Sequence, residues 1–356
     1  MSVASPHLAR LGAVSRPAGS AAAAEARAYC DSVLRGLGFN TTERAFEYSA
    51  FAGAYATPLA GLLIVPLAGA LALAPRSWTT ALIAVLGLAF AKVVARYVAR
   101  QGVLHLPIAR RRGINLEAVR GSEEPRVWLL AHIDSKWQPV AMLARVAGVI
   151  ATAIALTGLI LLAVAQAAVS ASLTWTLFGL ACLGAIPLAL SYVGARNHGT
   201  VDNASGVAAV LEAAAAIPSS ARVGVLITDA EELALAGARA WAGIRTPAIA
   251  LNCDSVDDGG SLVVMYSGSH STRLLSLLTR AASADGEHVR VLRLIPGILT
   301  DHVALADAGW ETVTLSRGDV RTLQRIHTSH DSLASMRGTG IASAARVLTR
   351  TATELG

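Results

Sequence analysis

The chain has 356 residues, enough for one large domain or two small ones. It is 54% hydrophobic and only 15% charged, where soluble domains carry roughly a quarter, so membrane segments are expected from composition alone. Net charge is +6 and nearly all the cations are arginines. With no zinc-finger spacing and no interleaving of aromatic and basic residues, that charge argues for a membrane surface and against nucleic acid.

The first 25 residues contain arginines and an alanine run but lack the apolar core of a secretory signal. They read as a flexible tail over 1–24. From Glu25 to Gly38, apolar residues at helical spacing predict a helix ended by Gly36 and Gly38. A short strand containing Phe46 and Tyr48 is expected next. The pattern then changes. Tyr48 to Pro75 carries no charge, and Ser77 to Val98 carries only Lys92 and Arg96 near its end. A bilayer core needs about 20 apolar residues in a helix, so 49–98 reads as a transmembrane hairpin with a tight turn at Pro75-Arg76-Ser77. Soluble sequence resumes near Arg100, and Gly113–Ser135 reads as strand, turn, strand.

A second interruption runs from Val146 to Ala195 without a charged residue, predicting a second hairpin over 141–195 that turns near Ser170–Thr174. A hairpin returns to the side it left, so segments on either side of it can still share a site. From Arg196 the pattern alternates. Strands are expected at Val223–Thr228, Ala248–Cys253, Leu262–Tyr266, Val289–Leu294 and Thr312–Leu315. Helices are expected at Ser205–Ile217, Leu233–Gly243, Ser271–Ala284 and Ser332–Thr351. Such alternation predicts an α/β fold with a mostly parallel mixed sheet flanked by helices. The predicted soluble domain is discontinuous, made of 25–48, 99–140 and 196–356.

Several predicted strands end in carboxylates or imidazoles, the groups that bind zinc. Val127–Ala131 ends in His132-Ile133-Asp134, and Val223–Thr228 ends in Asp229-Ala230-Glu231-Glu232. Ala248–Cys253 ends in Asp254. Gly199-Thr200-Val201-Asp202-Asn203-Ala204-Ser205-Gly206 opens a helix, and Ile326-His327-Thr328-Ser329-His330-Asp331 lies near the C-terminus. Taken singly, each has a bland explanation: a helix cap for Asp202, an acidic first turn for Glu231 and Glu232, a turn residue for Asp254. The three cysteines lack CxxC spacing and suit a reducing compartment.

Taken together and in this order, the motifs His-x-Asp, Asp-Asn-Ala-Ser-Gly, Glu-Glu, Asn-x-Asp and His-Thr-x-x-Asp resemble metallopeptidase family M28, the co-catalytic zinc aminopeptidases. The resemblance spans most of the non-membrane sequence. It implies two Zn(2+) ions, with His132 and Asp254 on one, Glu232 and His327 on the other, and Asp202 bridging. Two such ions sit roughly 3.5–4 Å apart and can hold a hydroxide between them. The resemblance assigns Glu231 the role of general base; Asp134, two residues from His132 and so on the same face of a strand, is expected to act in catalysis by orienting the His132 imidazole. Thr300-Asp301-His302 is expected to line the site. The implied activity is removal of N-terminal residues from a peptide substrate by a membrane-anchored enzyme. Ala234, Ala238 and Ile326 depart from frequent family residues and touch substrate preference more than ligation. Rival readings are a family M20-like amidohydrolase, the one-zinc glutaminyl cyclases, and a non-catalytic membrane receptor or scaffold on a peptidase fold. Residues 1–48 carry five arginines and 96–145 more, whereas the hairpin tips contribute only Arg76. The expected location is therefore the plasma membrane, with the lipid bilayer as a partner and both termini and the catalytic domain in the cytoplasm.

Overall fold

A computed structural model describes residues 5–165, 171–268, 271–294 and 298–356. The strands are β1 (Asn40–Ser49), β2 (Arg110–Val119), β3 (Val127–His132), β4 (Val223–Thr228), β5 (Ile249–Val256), β6 (Ser261–Tyr266), β7 (Val289–Arg293) and β8 (Glu311–Gly318). They form one mixed sheet in the order β1-β2-β4-β3-β5-β8-β6-β7. β4, β3, β5 and β8 run parallel through its centre, while β1, β2 and the β6–β8 pairing are antiparallel. Every residue of β3 and β4 is buried, as expected of near-continuous apolar strands covered on both faces.

The helices are α1 (Pro6–Leu11), α2 (Ala21–Gly36), α3 (Thr57–Leu73), α4 (Trp78–Tyr97), α5 (Val103–His105), α6 (Met142–Ala165) and α7 (Ala171–Ala189). They continue with α8 (Gly206–Ala216), α9 (Ala236–Ala242), α10 (Thr272–Ser283), α11 (Asp301–Asp307), α12 (Val320–Arg325) and α13 (Thr339–Leu355). On one face of the sheet, α8 and α13 pack together over the main core; Val207, Leu211, Ile341 and Leu348 are all fully buried there. On the other face α9 and α11 cover Trp128, Trp241 and Trp310.

Four helical stretches are long and apolar enough to cross a membrane: Ala52–Leu73, Trp78–His105, Met142–Ala165 and Ala171–Ala189. Each insertion is pinched where it leaves the sheet domain. Ala50 N donates to Ala109 O at 3.0 Å, and Trp137 and Gly194 exchange backbone hydrogen bonds at 3.0 and 2.8 Å. The chain thus leaves and returns at one place, which keeps the flanking segments in register.

Packing within the four helices differs from two separate hairpins. α6 and α7 do pack together, through Gly148 and Gly184. A Cβ on Gly184 would sit 2.8 Å from Gly148 O, so the backbones approach as small residues permit in apolar surroundings. Among the described residues, however, α3 and α4 do not pack along each other despite their tight connection. α3 lies on α7, and α4 lies on α6. The predicted second turn falls partly on 166–170, outside the described residues; α7 begins at Ala171.

The reading of 1–24 as a flexible tail needs correction over residues 5–24; residues 1–4 lie outside the described residues. Ser5 caps α1, Leu8 and Leu11 enter the main core, and Arg16 is 1% exposed. Its guanidinium donates to Ile133 O at 2.9 Å, His198 O at 2.8 Å and Gly199 O at 2.9 Å, and also to Leu11 O. Around Arg16 the chain straps the end of β3, beside His132, to the loop that carries Asp202.

Candidate metal centre and active site

Five loops meet at the carboxyl ends of the central strands, where ligands gather in open α/β sheets. β3 delivers His132, the turn after β4 delivers Glu231 and Glu232, and β5 delivers Asp254. The loop before α8 delivers Asp202, and the turn after α12 delivers His327. All six side chains are buried. Ala230, Ser255 and His327 take left-handed φ values of 58°, 59° and 65°. Non-glycine residues occupy that region at a cost, and such residues cluster at sites their surroundings force into shape. At Gly199, φ is 59° and an added Cβ would lie 2.5 Å from the Ser135 Cβ, so glycine is required there.

Asp202 lies between the two imidazoles. Its Oδ1 is 3.2 Å from His132 Nε2, and its Oδ2 is 3.0 Å from His327 Nε2. Around His132, one donor atom each from His132, Glu231 and Asp254 lie within 4.8 Å of one another; around His327, those of Asp202, Glu232 and His327 do. Glu231 Oε2 and Asp254 Oδ1 are each 3.8 Å from His132 Nε2. Glu232 Oε1 is 3.2 Å from His327 Nε2. The structure therefore brings together all five residues predicted to bind metal, with the predicted base beside them.

The electrostatics favour cations. Asp134, Asp202, Glu231, Glu232, Asp254, Asp301 and Asp331 are all buried, and the basic groups set against them are fewer: His132, His327, Lys136, Arg16, Arg145 and Arg325. Burial, reinforced by Glu232, Asp254 and Asp301 and opposed by His132, pushes Glu231 well above the ordinary carboxylate range. Burial also raises Asp301, to about 7. Asp202 goes the other way: hydrogen bonds from His132 and His327 overcome burial and hold it far below that range. His132 Nε2, at the centre of this group, makes no well-aligned hydrogen bond, although Asp202 Oδ1 lies 3.2 Å away. A donor set of nitrogen and oxygen atoms, rich in buried negative charge and split into two adjacent groups, fits two divalent cations such as zinc.

Asp134 acts differently from the expectation. The His132 Nδ1 lies 3.0 Å from the Asp134 backbone oxygen but 3.6 Å from its carboxylate. The carboxylate instead accepts from Glu231 N at 3.1 Å and Glu232 N at 3.2 Å. It fixes the backbone of the glutamate pair, and its main chain orients the imidazole.

Three contributors were not read from the sequence. The Asp331 carboxylate accepts from Val201 N at 2.6 Å and Asp202 N at 3.2 Å, so it cradles the bridging residue. Its place four residues after His327 was the only hint. Lys136 Nζ lies 2.6 Å from Glu232 Oε2. Asn203 Oδ1 accepts from Gly206 N at 3.0 Å and Ser255 N at 3.1 Å, which ties the Asp202 loop to the end of β5. Of Thr300-Asp301-His302, Thr300 lines the cavity at the site, and Asp301 and His302 are buried behind it.

Residues 183–352 match the profile of peptidase family M28. That segment belongs to the family. The match begins inside the second apolar insertion and excludes His132 and Asp134, which the fold nevertheless brings to the centre. Three solved structures share the family's fold with this chain. An aminopeptidase from Aneurinibacillus sp. strain AM-1 superposes with TM-score 0.59 at 12% identity, covering 98% of this chain and 92% of that one. BSAP, a zinc aminopeptidase from Bacillus subtilis, gives 0.57 at 14%, covering 98% and 93%. A Fimbriiglobus ruber glutaminyl cyclase gives 0.55 at 15%, covering 98% and 92%. No curated protein matches the sequence. The M28 fold here is thus a peptidase-type scaffold interrupted twice by apolar helices.

Proposed function

We propose that the protein is a membrane-embedded, zinc-dependent exopeptidase of the aminopeptidase type. The observation that carries this reading is Asp202, which points one carboxylate oxygen at each of two imidazoles. His132 and Asp254 would hold one ion, Glu232 and His327 the other, and Asp202 would join them. Bound there, the ions supply carbonyl polarisation and acidify water. Glu231 takes the proton of the attacking water on its carboxylate and passes it to the leaving amine. Asp134 keeps Glu231 in place through its backbone amide, and Lys136 holds one oxygen of Glu232. The surplus of carboxylates favours a substrate ammonium group, which selects chain ends over internal bonds.

The same reading sets the four apolar helices across the plasma membrane, with the sheet domain and both termini in the cytoplasm. Two observations support it: the arginine bias toward the sheet side, and large apolar side chains turned outward, such as Leu73 at 74% and Phe90 at 71% exposure.

The test is hydrolysis of a panel of aminoacyl and peptide amides by the zinc-loaded protein and by Glu231→Gln. We expect turnover by the wild type and a loss of about 10²–10⁴-fold in kcat for the variant, with metal content retained. A protein that holds metal and cleaves no member of the panel is the non-catalytic receptor instead. Loss of metal in Glu231→Gln would make Glu231 a ligand and remove its role as base.

A further inference from the structure

The site does not open only onto water. A cavity of about 670 Å³ reaches from Asp202, Glu231 and Glu232 to the sheet-proximal ends of the apolar helices. That volume is of the size that holds a whole drug-sized molecule, well beyond what one side chain needs. Its far wall is apolar and built from all four membrane helices, each giving its sheet-proximal end: Ala56 and Ala60 from the α3 segment, Ala95 from α4, Val146 and Val149 from α6, and Leu188 from α7. Ala56 and Ala60 stand four residues apart and so share one helix face, where larger side chains would close the cavity.

The packing of the helices supplies a second, independent observation. Among the described residues, the main contact between the two legs of the first insertion is at the sheet-proximal side, between Ala52–Ala56, which precedes α3, and Val98–Gly102, which follows α4. Each then diverges onto a different neighbour, α7 or α6. Both Ala60 and Ala95, which flank this parting, are exposed. An apolar path therefore joins the carboxylate cluster to the level of the bilayer between α3 and α4. Arg145, Arg290 and Arg317 also line the cavity, as do apolar residues of the sheet domain such as Val263, Leu292 and Leu323.

Resting on the aminopeptidase reading, we propose that the substrate is an amide with a free amino group at one end and a long apolar tail beyond the scissile bond, entering from the bilayer between α3 and α4. The amine sits among the carboxylates, and the tail follows the apolar passage between the helices toward the bilayer. Amide and water give a free amino acid and a lipophilic amine; the C–N bond breaks, a C–O bond forms, and the proton from water goes through Glu231 to the departing nitrogen.

The experiment uses the full chain, zinc-loaded, in phosphatidylcholine vesicles. Alanyl butylamide and alanyl dodecylamide are compared, with alanyl 4-nitroanilide as a short reference. We expect kcat/KM for the dodecylamide to exceed that for the butylamide by at least about tenfold, following burial of the added methylenes. At fixed bulk substrate, added lipid should lower the dodecylamide rate in proportion to its surface dilution. Ala60→Phe should bring the two amides close to equal kcat/KM. Equal turnover of both amides by the wild type overturns the proposal and leaves the aminopeptidase reading standing, as does a dodecylamide rate that ignores surface dilution. Failure to cleave any of the three, the nitroanilide included, removes the aminopeptidase reading itself.

Discussion

Asp331 shows how much of the site is held by residues that touch no metal. It offers two carboxylate oxygens to two backbone amides, Val201 N and Asp202 N, at 0% exposure. Burial, with the charge of Asp202, raises it to about 7, against the pull of those amides. Asp331→Asn keeps the shape but offers one acceptor where two are needed, leaving a buried N–H facing a donor. Losing such a partner typically costs about 1–3 kcal/mol, and outer partners of metal ligands are worth about 10–100-fold in affinity. We expect zinc affinity to fall within that range in a competition titration with a chromophoric chelator. An unchanged affinity would limit Asp331 to a folding role. Asp134 belongs to the same class. Its spacing from His132 was legible, but its strongest bonds go to amides a hundred residues away in sequence, and no local pattern encodes them.

At the scale of elements, Glu117 on β2 joins three others. Its carboxylate accepts from Arg44 of β1 at 2.9 Å, from Trp241 of α9 at 2.7 Å and from Arg245 beyond α9 at 3.2 Å. Burial raises its pKa, but the hydrogen bonds from Arg44, Trp241 and Arg245 outweigh burial and leave it below the usual 4.5. A carboxyl group depressed on folding contributes stability above its unfolded pKa, and that contribution fades as pH falls through the folded value. Urea unfolding of wild type and Glu117→Gln should therefore show a stability gap that is steady near neutral pH and narrows below about pH 4.5. A gap that stays constant down to pH 3 contradicts the ion-pair account. The sequence encoded most elements here, because buried parallel strands and amphipathic helices have strong periods. α9 begins at Ala236, later than the Leu233 expected from pattern, because Ala234 and Leu235 take positive φ behind the glutamate pair. α11 and α12 are too short to show a period. Arg16 falls in a stretch that reads as a flexible tail because its partners are backbone carbonyls, which carry no residue code.

For the whole molecule, topology and chemistry depend on the same device. Each apolar insertion leaves and re-enters the sheet domain through a backbone pinch, so His132 and Asp202 meet although a membrane-length excursion separates them in sequence. The parity of a hairpin was legible in the sequence; the exchange of partners among the four helices was not, since their central turns carry no charge that would mark one face. If the arginine bias sets orientation, a cysteine appended at the C-terminus of the chain in intact cells should resist a membrane-impermeant maleimide and react only after permeabilisation. Labelling before permeabilisation reverses the topology.

The central claim is a pair of cations joined by Asp202, and metal content measures it most directly. Elemental analysis of the purified chain, equilibrated with zinc and then desalted, should give about two ions per chain for the wild type. Because Asp202→Asn removes a donor from both groups at once, it should lower both occupancies together. One ion or none in the wild type, or full occupancy in Asp202→Asn, contradicts the account.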